Sequence, residues 1–405
     1  MGRFKLSRSL RFAAPLLALV ATACTFTGLG NYDVETCAKP KGFSTTVQKV
    51  GAVTDLGFSS ASGKSTIAAF AADVTGGACI EAVGPAGFLN TSCSFLADEP
   101  SLSPHQPMAV PLSGGFAAAI IATTAPCTVG QLEYRFNAPS VAGKANVPCP
   151  TGSPGATLPA LAPLSDGSTV IVSWYATSYA LRTDPISSCA GAVAAPIKVA
   201  IVTSAASAPV IGAPIDLGDT GISIRPPAIV AVPGSTQAIV AAPFGNDVSV
   251  WSIDTSNVSS NLSPASIPSL AGARAVAVGI ASDNSGRIAI AAEIGCNPQS
   301  IALSVGTIAG GFSKATVVAA ADGDLAVAPS VAWIDGQNRW VVGWVSSHGG
   351  AHALARSFDV SGNALAPALD PSTDATGASV TSDGSILGFV ASSSSFVETS
   401  LGCEP

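Results

Sequence analysis

The chain predicts an all-β fold, a seven-bladed β-propeller of four-stranded antiparallel blades, and three observations lead there. Apolar residues make up 48% of the 405 positions, yet they come in short runs such as FAAAIIA, STVIVSW and RWVVGW, punctuated by 41 Gly and 29 Pro. Those runs are rich in Val, Ile and Thr. None shows the i, i+3, i+4, i+7 spacing of a capped amphipathic helix, so strands joined by frequent turns account for them. The third observation is a repeating hairpin: an apolar run, a polar turn containing Gly, and a second apolar run.

The hairpin occurs seven times, with turn glycines at Gly63, Gly115, Gly167, Gly234, Gly286, Gly336 and Gly384. Asp, Asn, Ser and Gly at these turns supply the tight or positive-φ geometry that a hairpin needs. Successive turns are 52, 52, 67, 52, 50 and 48 residues apart. A period near 50 with four strands per unit is a propeller spacing. The one long interval marks a blade with an insertion around residues 175–195.

After Gly384 only two further strands fit, SILGFVA and SFVETSL, so the last blade lacks its outer strand. Residues 42–50, GFSTTVQKV, precede the first hairpin and are expected to supply it, leaving no free edge around the ring. This closure brings Cys37 beside Cys403, where a disulfide would replace the missing hairpin loop. Cys79 and Cys93 bracket an outer hairpin in the first blade, and Cys127 and Cys149 bracket its equivalent in the second. By elimination Cys189, in the insertion, pairs with Cys296.

One blade carries a resemblance. Residues 329–367, PSVAWIDGQNRWVVGWVSSHGGAHALARSFDVSGNALAP, resemble a repeat of bacterial secreted and lipoprotein β-propellers, with its P-S-V-A-W strand, a second strand ending in Trp, an A-R-x-F-D strand and an S-G-N-x-L turn. The other six hairpins keep the turn and the apolar runs without the aromatics. The resemblance implies a propeller in the cell envelope and no particular activity.

The N-terminus fits that location. Arg3, Lys5, Arg8 and Arg11 precede an uncharged apolar stretch from Phe12 to Ala23, the pattern of a secretory signal and too short for a membrane span. Ala21-Thr22-Ala23 suits an ordinary signal peptidase, and together with Cys24 it is also similar to a bacterial lipobox, with Ala21 where that family usually has Leu. Parity favours the second reading, because nine cysteines less a lipidated Cys24 leave eight that can pair in an oxidising compartment. Residues 1–23 are thus read as signal peptide, 24–36 as a lipidated tether and 37–405 as one propeller domain. Thr25 after the lipid site points to the outer membrane rather than inner-membrane retention.

Composition narrows function. Residues 1–23 hold four of the 18 Lys and Arg and no acid, so without them the formal charge falls from −7 to −11. So acidic a chain has no basic patch for nucleic acid and no polybasic segment for an anionic bilayer. The first strands of the hairpins read TDLGF, PMAVPL, PALAPL, PAIVAV, VAVGIA, PSVAWI and GASVTS, and Asp55 is their one acid. A glycosidase would need paired carboxylates at that centre. Candidate residues for a loop-rich ligand face are Trp174, Arg182, Asp184, Asp247, Glu293, Trp344, His348 and His352. His348 and His352 flank a Gly-Gly-Ala turn rather than sharing a helix face, so no metal is assigned, and no cofactor is implied. SDNSGR at 282–287 lacks the spacing and following aromatic of a sialidase Asp-box and reads as a plain turn. The reading is a monomeric envelope binding or scaffolding protein for a protein or glycan ligand, with a carbohydrate-active or metal-assisted hydrolase as the alternative.

Overall fold

A computed structural model describes residues 157–176, 193–204, 210–223, 225–244, 247–257, 265–267, 275–295, 299–319, 325–347 and 352–368. It also describes the backbone of strands at 40–49, 53–59, 68–74, 77–84, 87–88, 94–95, 103–112, 115–124, 127–136, 141–147, 377–380, 386–390 and 395–403. Among these residues the strands form seven sheets, all with antiparallel pairing between sequential neighbours. In chain order each sheet opens on one innermost strand: Val53–Ser59, Ser103–Leu112, Thr157–Pro163, Ala228–Ala231, Ala275–Ser282, Ala326–Ile334 and Gly377–Val380.

The seventh sheet has a fourth strand from the other end of the chain. Pro40–Lys49 pairs antiparallel with Ser395–Cys403, from Gln48 opposite Phe396 to Pro40 opposite Cys403. In the third sheet Val193–Thr203 pairs with both Val210–Ile211 and Ile215–Ser223, so part of the long repeat interval becomes outer strand. Much of the remainder, residues 177–192 with Arg182, Asp184 and Cys189, lies outside the described residues.

Antiparallel strands usually alternate apolar and polar, because one face meets water. Here they do not. Val170–Tyr175 is buried at every position, and Gln237–Phe244 and Ile288–Ile294 are buried at all but their ends. Among the described residues the fourth, fifth and sixth sheets have a neighbouring sheet on both sides, so both of their faces must be apolar. Four clusters fill the spaces between consecutive sheets from the third to the seventh. In the space between the fifth and sixth, Ala281, Ala289 and Ala291 face Trp333, Trp340 and Trp344. Small side chains on one sheet make room for indoles on the next, which keeps the layer dense without strain. Trp333 and Trp340 pack against each other with ring centroids 4.5 Å apart and planes tilted by 55°.

The hairpin turns follow the sequence with one change. Gly167, Gly234 and Gly286 hold positive φ of 68°, 69° and 79°. In the sixth sheet the turn is a short 3-10 segment, Asp335–Gln337, and the left-handed residue is Asn338 with φ 51°, not Gly336. Asn reaches this region because its short polar side chain bonds locally. The turns at Gly63 and Gly384 lie outside the described residues, as do residues 113–114, and Gly115 opens the strand Gly115–Thr124. The plain turn read at 282–287 is strongly built. Asp283, 1% exposed, accepts from the Ser285 and Arg287 backbone N–H groups and from the Arg287 Nε at 2.5 Å. Burial alone would raise its carboxyl, but these donors overcome that and hold its pKa below the usual value of 3.8. Neighbouring turns also touch: Asn284 Nδ2 donates to Asp335 Oδ1 at 2.6 Å, and the Gly234 N–H donates to Ser165 Oγ at 3.0 Å.

Candidate functional site

The innermost strands meet around a pocket of about 140 Å³. Its wall is built by short stretches of the second to seventh sheets: Met108, Ala160–Leu161, residues 225–229, 277–280 and 328–331, and Ser379. Ala, Val, Ile, Leu, Met and Pro make most of it. The polar side chains are Arg225, Ser330 and Ser379. The two hydroxyls are 3.2 Å apart, and Ser330 Oγ accepts the Val380 N–H at 3.0 Å, which ties the sixth innermost strand to the seventh.

A proline pattern shapes this wall. Pro107, Pro159 and Pro329 fall where the register of their innermost strands skips, between His105 and Met108, Thr157 and Ala160, and Val327 and Ser330. Pro226-Pro227 stands just before the corresponding strand of the fourth sheet. Proline cannot donate to a ladder, so it is tolerated on an edge strand and at a bulge, and the innermost strand is such an edge.

The bulge of the sixth sheet creates the most unusual group among the described residues. Ala328 holds a positive φ of 57°, costly for a residue with a Cβ. It donates its N–H to Glu293 Oε2 of the fifth sheet at 2.9 Å. Glu293 is the penultimate residue of Ile288–Ile294, in register with Ala277 and Ile301 and fully buried. Its other oxygen accepts from Gln299 Nε2 at 2.8 Å. Gln299 is also fully buried, and its Oε1 has no hydrogen-bond partner. Burial pushes the Glu293 carboxyl up from 4.5 to about 7, while the Ala328 N–H and the charge of Arg225 work in the opposite direction. Arg225, Ala277 and Ala328 all line the pocket, so Glu293 stands directly behind its wall.

Of the sequence-predicted face residues, Trp174, Asp247, Glu293, Trp344 and His352 are among the described residues. Trp174 and Trp344 are 4% and 3% exposed and pack inside the sheet layers. Asp247 opens its strand, and its Oδ1 accepts the Val248 N–H next to it at 2.8 Å. His352 opens the third strand of the sixth sheet and is half-buried. Glu293, read as a loop residue, is inside a strand and buried. Arg182, Asp184 and His348 lie outside the described residues, as do Cys24, Cys37, Cys93, Cys149, Cys189 and Cys296. Cys79, Cys127 and Cys403 lie in strands of described backbone. Among the described residues no three His, Cys, Asp or Glu side chains gather as a metal site. Sequence reasoning missed Arg225 and Gln299. The signal available for Arg225 was its place before Pro226-Pro227, at the entrance to an innermost strand.

The architecture is that of the β-propeller class, and solved structures agree. The chain is similar to BBS1N in its complex with ARL6DN, with 13% identity, a TM-score of 0.52 and coverage of 88% of this chain and 95% of that one. It is similar to the Dos1 propeller, with 13% identity, a TM-score of 0.50 and coverage of 87% and 78%. The NanB sialidase of Streptococcus pneumoniae aligns at 11% identity and a TM-score of 0.45, over 76% of this chain and 70% of that one. No family model matches the chain, and no curated protein matches it in sequence.

Proposed function

We propose that the protein is a seven-bladed propeller held at the outer membrane by a lipidated Cys24, and that it binds a ligand at its axis without catalysis. The pairing of 40–49 with 395–403 supports a ring whose last blade is completed by the N-terminal strand. It also supports the Cys37–Cys403 bridge, since Cys37 is three residues before Pro40, the partner of Cys403. Pairing of Cys79 with Phe95 supports the Cys79–Cys93 clip, and pairing of Val147 with Gly130 supports the Cys127–Cys149 clip. The observation that carries the binding reading is the pocket itself: six innermost strands enclose an apolar space with one guanidinium in its wall.

Two experiments test it. Detergent phase partition of the wild type and Cys24→Ser should move the protein from the detergent phase to the aqueous phase; equal partition removes the anchor. Incubation of the mature chain with small envelope metabolites and glycan fragments should raise its melting temperature with no product formed. Turnover would overturn the binding reading. The second reading, a hydrolase, draws support from Glu293, since a carboxyl held near neutrality suits a general acid. Both its oxygens are engaged by Ala328 and Gln299, and it is fully buried, which favours the first reading. Turnover lost in Glu293→Gln would favour the second.

A further inference from the structure

Resting on the binding reading, we propose that the axial pocket takes a small aliphatic carboxylate, paired with Arg225, and that this anion enters with a proton that Glu293 accepts. The volume selects the size. About 140 Å³ is close to the roughly 150 Å³ cavity that holds a benzene-sized guest, so a group of six or seven heavy atoms fits inside. The wall selects the chemistry. Ala, Val and Ile side chains suit a short branched hydrocarbon, and the guanidinium of Arg225 suits a carboxylate, which it binds through a planar fork of donors.

Glu293 couples the proton to the ligand. In its charged form it is a second anion behind the same wall, acting on the same arginine. A ligand carboxylate brought to Arg225 repels that charge, and the repulsion is relieved when Glu293 is neutral. The buried surroundings are ready for the neutral form. Gln299 Oε1 is an acceptor with no partner, and rotation of that amide lets it receive the O–H of protonated Glu293, while Ala328 keeps its bond to the other oxygen. The adjoining strands Ala275–Ser282, Ser300–Thr307 and Ala326–Ile334 contain no ionisable side chain. The other two strands of the sixth sheet that pack on the fifth carry Arg339, His352 and Arg356, so His352→Gln is the control and should leave the pH profile unchanged. The balance is simple: the bound ligand stays ionised, the proton comes from solvent, and Glu293 passes from carboxylate to carboxylic acid.

The test uses the mature chain and three probes of one shape: 3-methylbutanoate, 3-methylbutanamide and 3-methylbutylamine. Calorimetry should show the carboxylate binding at least tenfold tighter than the amide and no binding of the amine. Affinity for the carboxylate should be about tenfold higher at pH 6 than at pH 8, with most of the change between 8 and 7. Heats measured in buffers of different ionisation enthalpy should show nearly one proton taken up per ligand at pH 8. Glu293→Gln mimics the neutral form, so it should bind at pH 8 as the wild type binds at pH 6, with a flat profile. Arg225→Gln should lose binding at every pH, and Arg225→Lys, which keeps the charge, should retain part of it. Equal affinity for amide and carboxylate without turnover overturns this proposal and leaves the binding reading in place. A pH profile unchanged in Glu293→Gln overturns the proton coupling, and no heat from any probe overturns the proposal as a whole.

Discussion

Glu293 should make the protein less stable as pH rises, the reverse of most carboxylates. Its folded pKa of about 7 lies above the value of 4.5 it has without burial. Between those two values the unfolded chain gives up the proton and the folded chain keeps it. Fewer protons are bound in the unfolded state, so unfolding stability falls with increasing pH through that window. The gap between 4.5 and about 7, at about 1.4 kcal/mol per pH unit, gives a loss of about 3 kcal/mol between pH 4.5 and pH 8. Glu293→Gln has the shape of the neutral acid and can keep the bonds to Ala328 and Gln299, so it should not show this loss. Thermal denaturation of both proteins across pH 4.5–8.5 isolates the group, since every other titration cancels in the difference. The two should agree within about 0.5 kcal/mol at pH 4.5, and the variant should be more stable by about 3 kcal/mol at pH 8. A difference that stays constant with pH would refute the reasoning, because it would mean the carboxylate is solvated or fully compensated. Arg225→Gln supplies a second check: without that positive charge the folded pKa rises further, so the decline should start in the same range and extend to a higher pH.

Three further outcomes follow from the packing and the turns. Asp283→Asn weakens the acceptor for Ser285 and Arg287 and should cost about 2 kcal/mol near neutrality by thermal denaturation. Because the folded pKa of Asp283 is held down, that difference should be full above pH 3.8 and shrink as the pH falls below it. At Gly279 a Cβ would stand 2.5 Å from the Pro329 carbonyl oxygen and 3.0 Å from the Ser330 Cα, both backbone atoms of the next sheet. Gly279→Ala should therefore push two innermost strands apart and cost about 2 kcal/mol or more in denaturant titration, with loss of any axial ligand. Trp340 is fully buried and packed against Trp333, so Trp340→Ala should cost about 4 kcal/mol, and a cost under about 1 kcal/mol would contradict the described layer.

What the sequence shows and what it hides divide along physical lines. Turns are local: Asp-Gly, Ser-Gly and Asn-Ser-Gly need only their own residues to specify a bend, so the repeat was visible in the order of the letters. Glu293 is not local. A Glu before Ile-Gly-Cys looks the same whether it ends a strand or opens a loop. Its burial is imposed by a bulge at Ala328-Pro329, 35 residues later and in another sheet. Arg225 was passed over for a similar reason. It precedes the apolar run that drew attention, and only the gathering of six innermost strands turns it into the charge of a pocket wall.

Alanine is the clearest case of a signal whose meaning depends on the layer. By propensity it favours helix, and the chain is rich in it. In the structure it forms the smooth side of an asymmetric contact, with Ala289 and Ala291 on the fifth sheet against Trp340 and Trp344 on the sixth. The aromatics of the sixth sheet are thus matched to small residues on the sheet beside it. If every sheet carried indoles on the facing side, the layers would be overpacked; if every sheet carried alanine on both faces, they would leave voids. The variation between repeats is therefore a condition of their packing, and the axial pocket lies where the innermost strands of these unequal sheets meet.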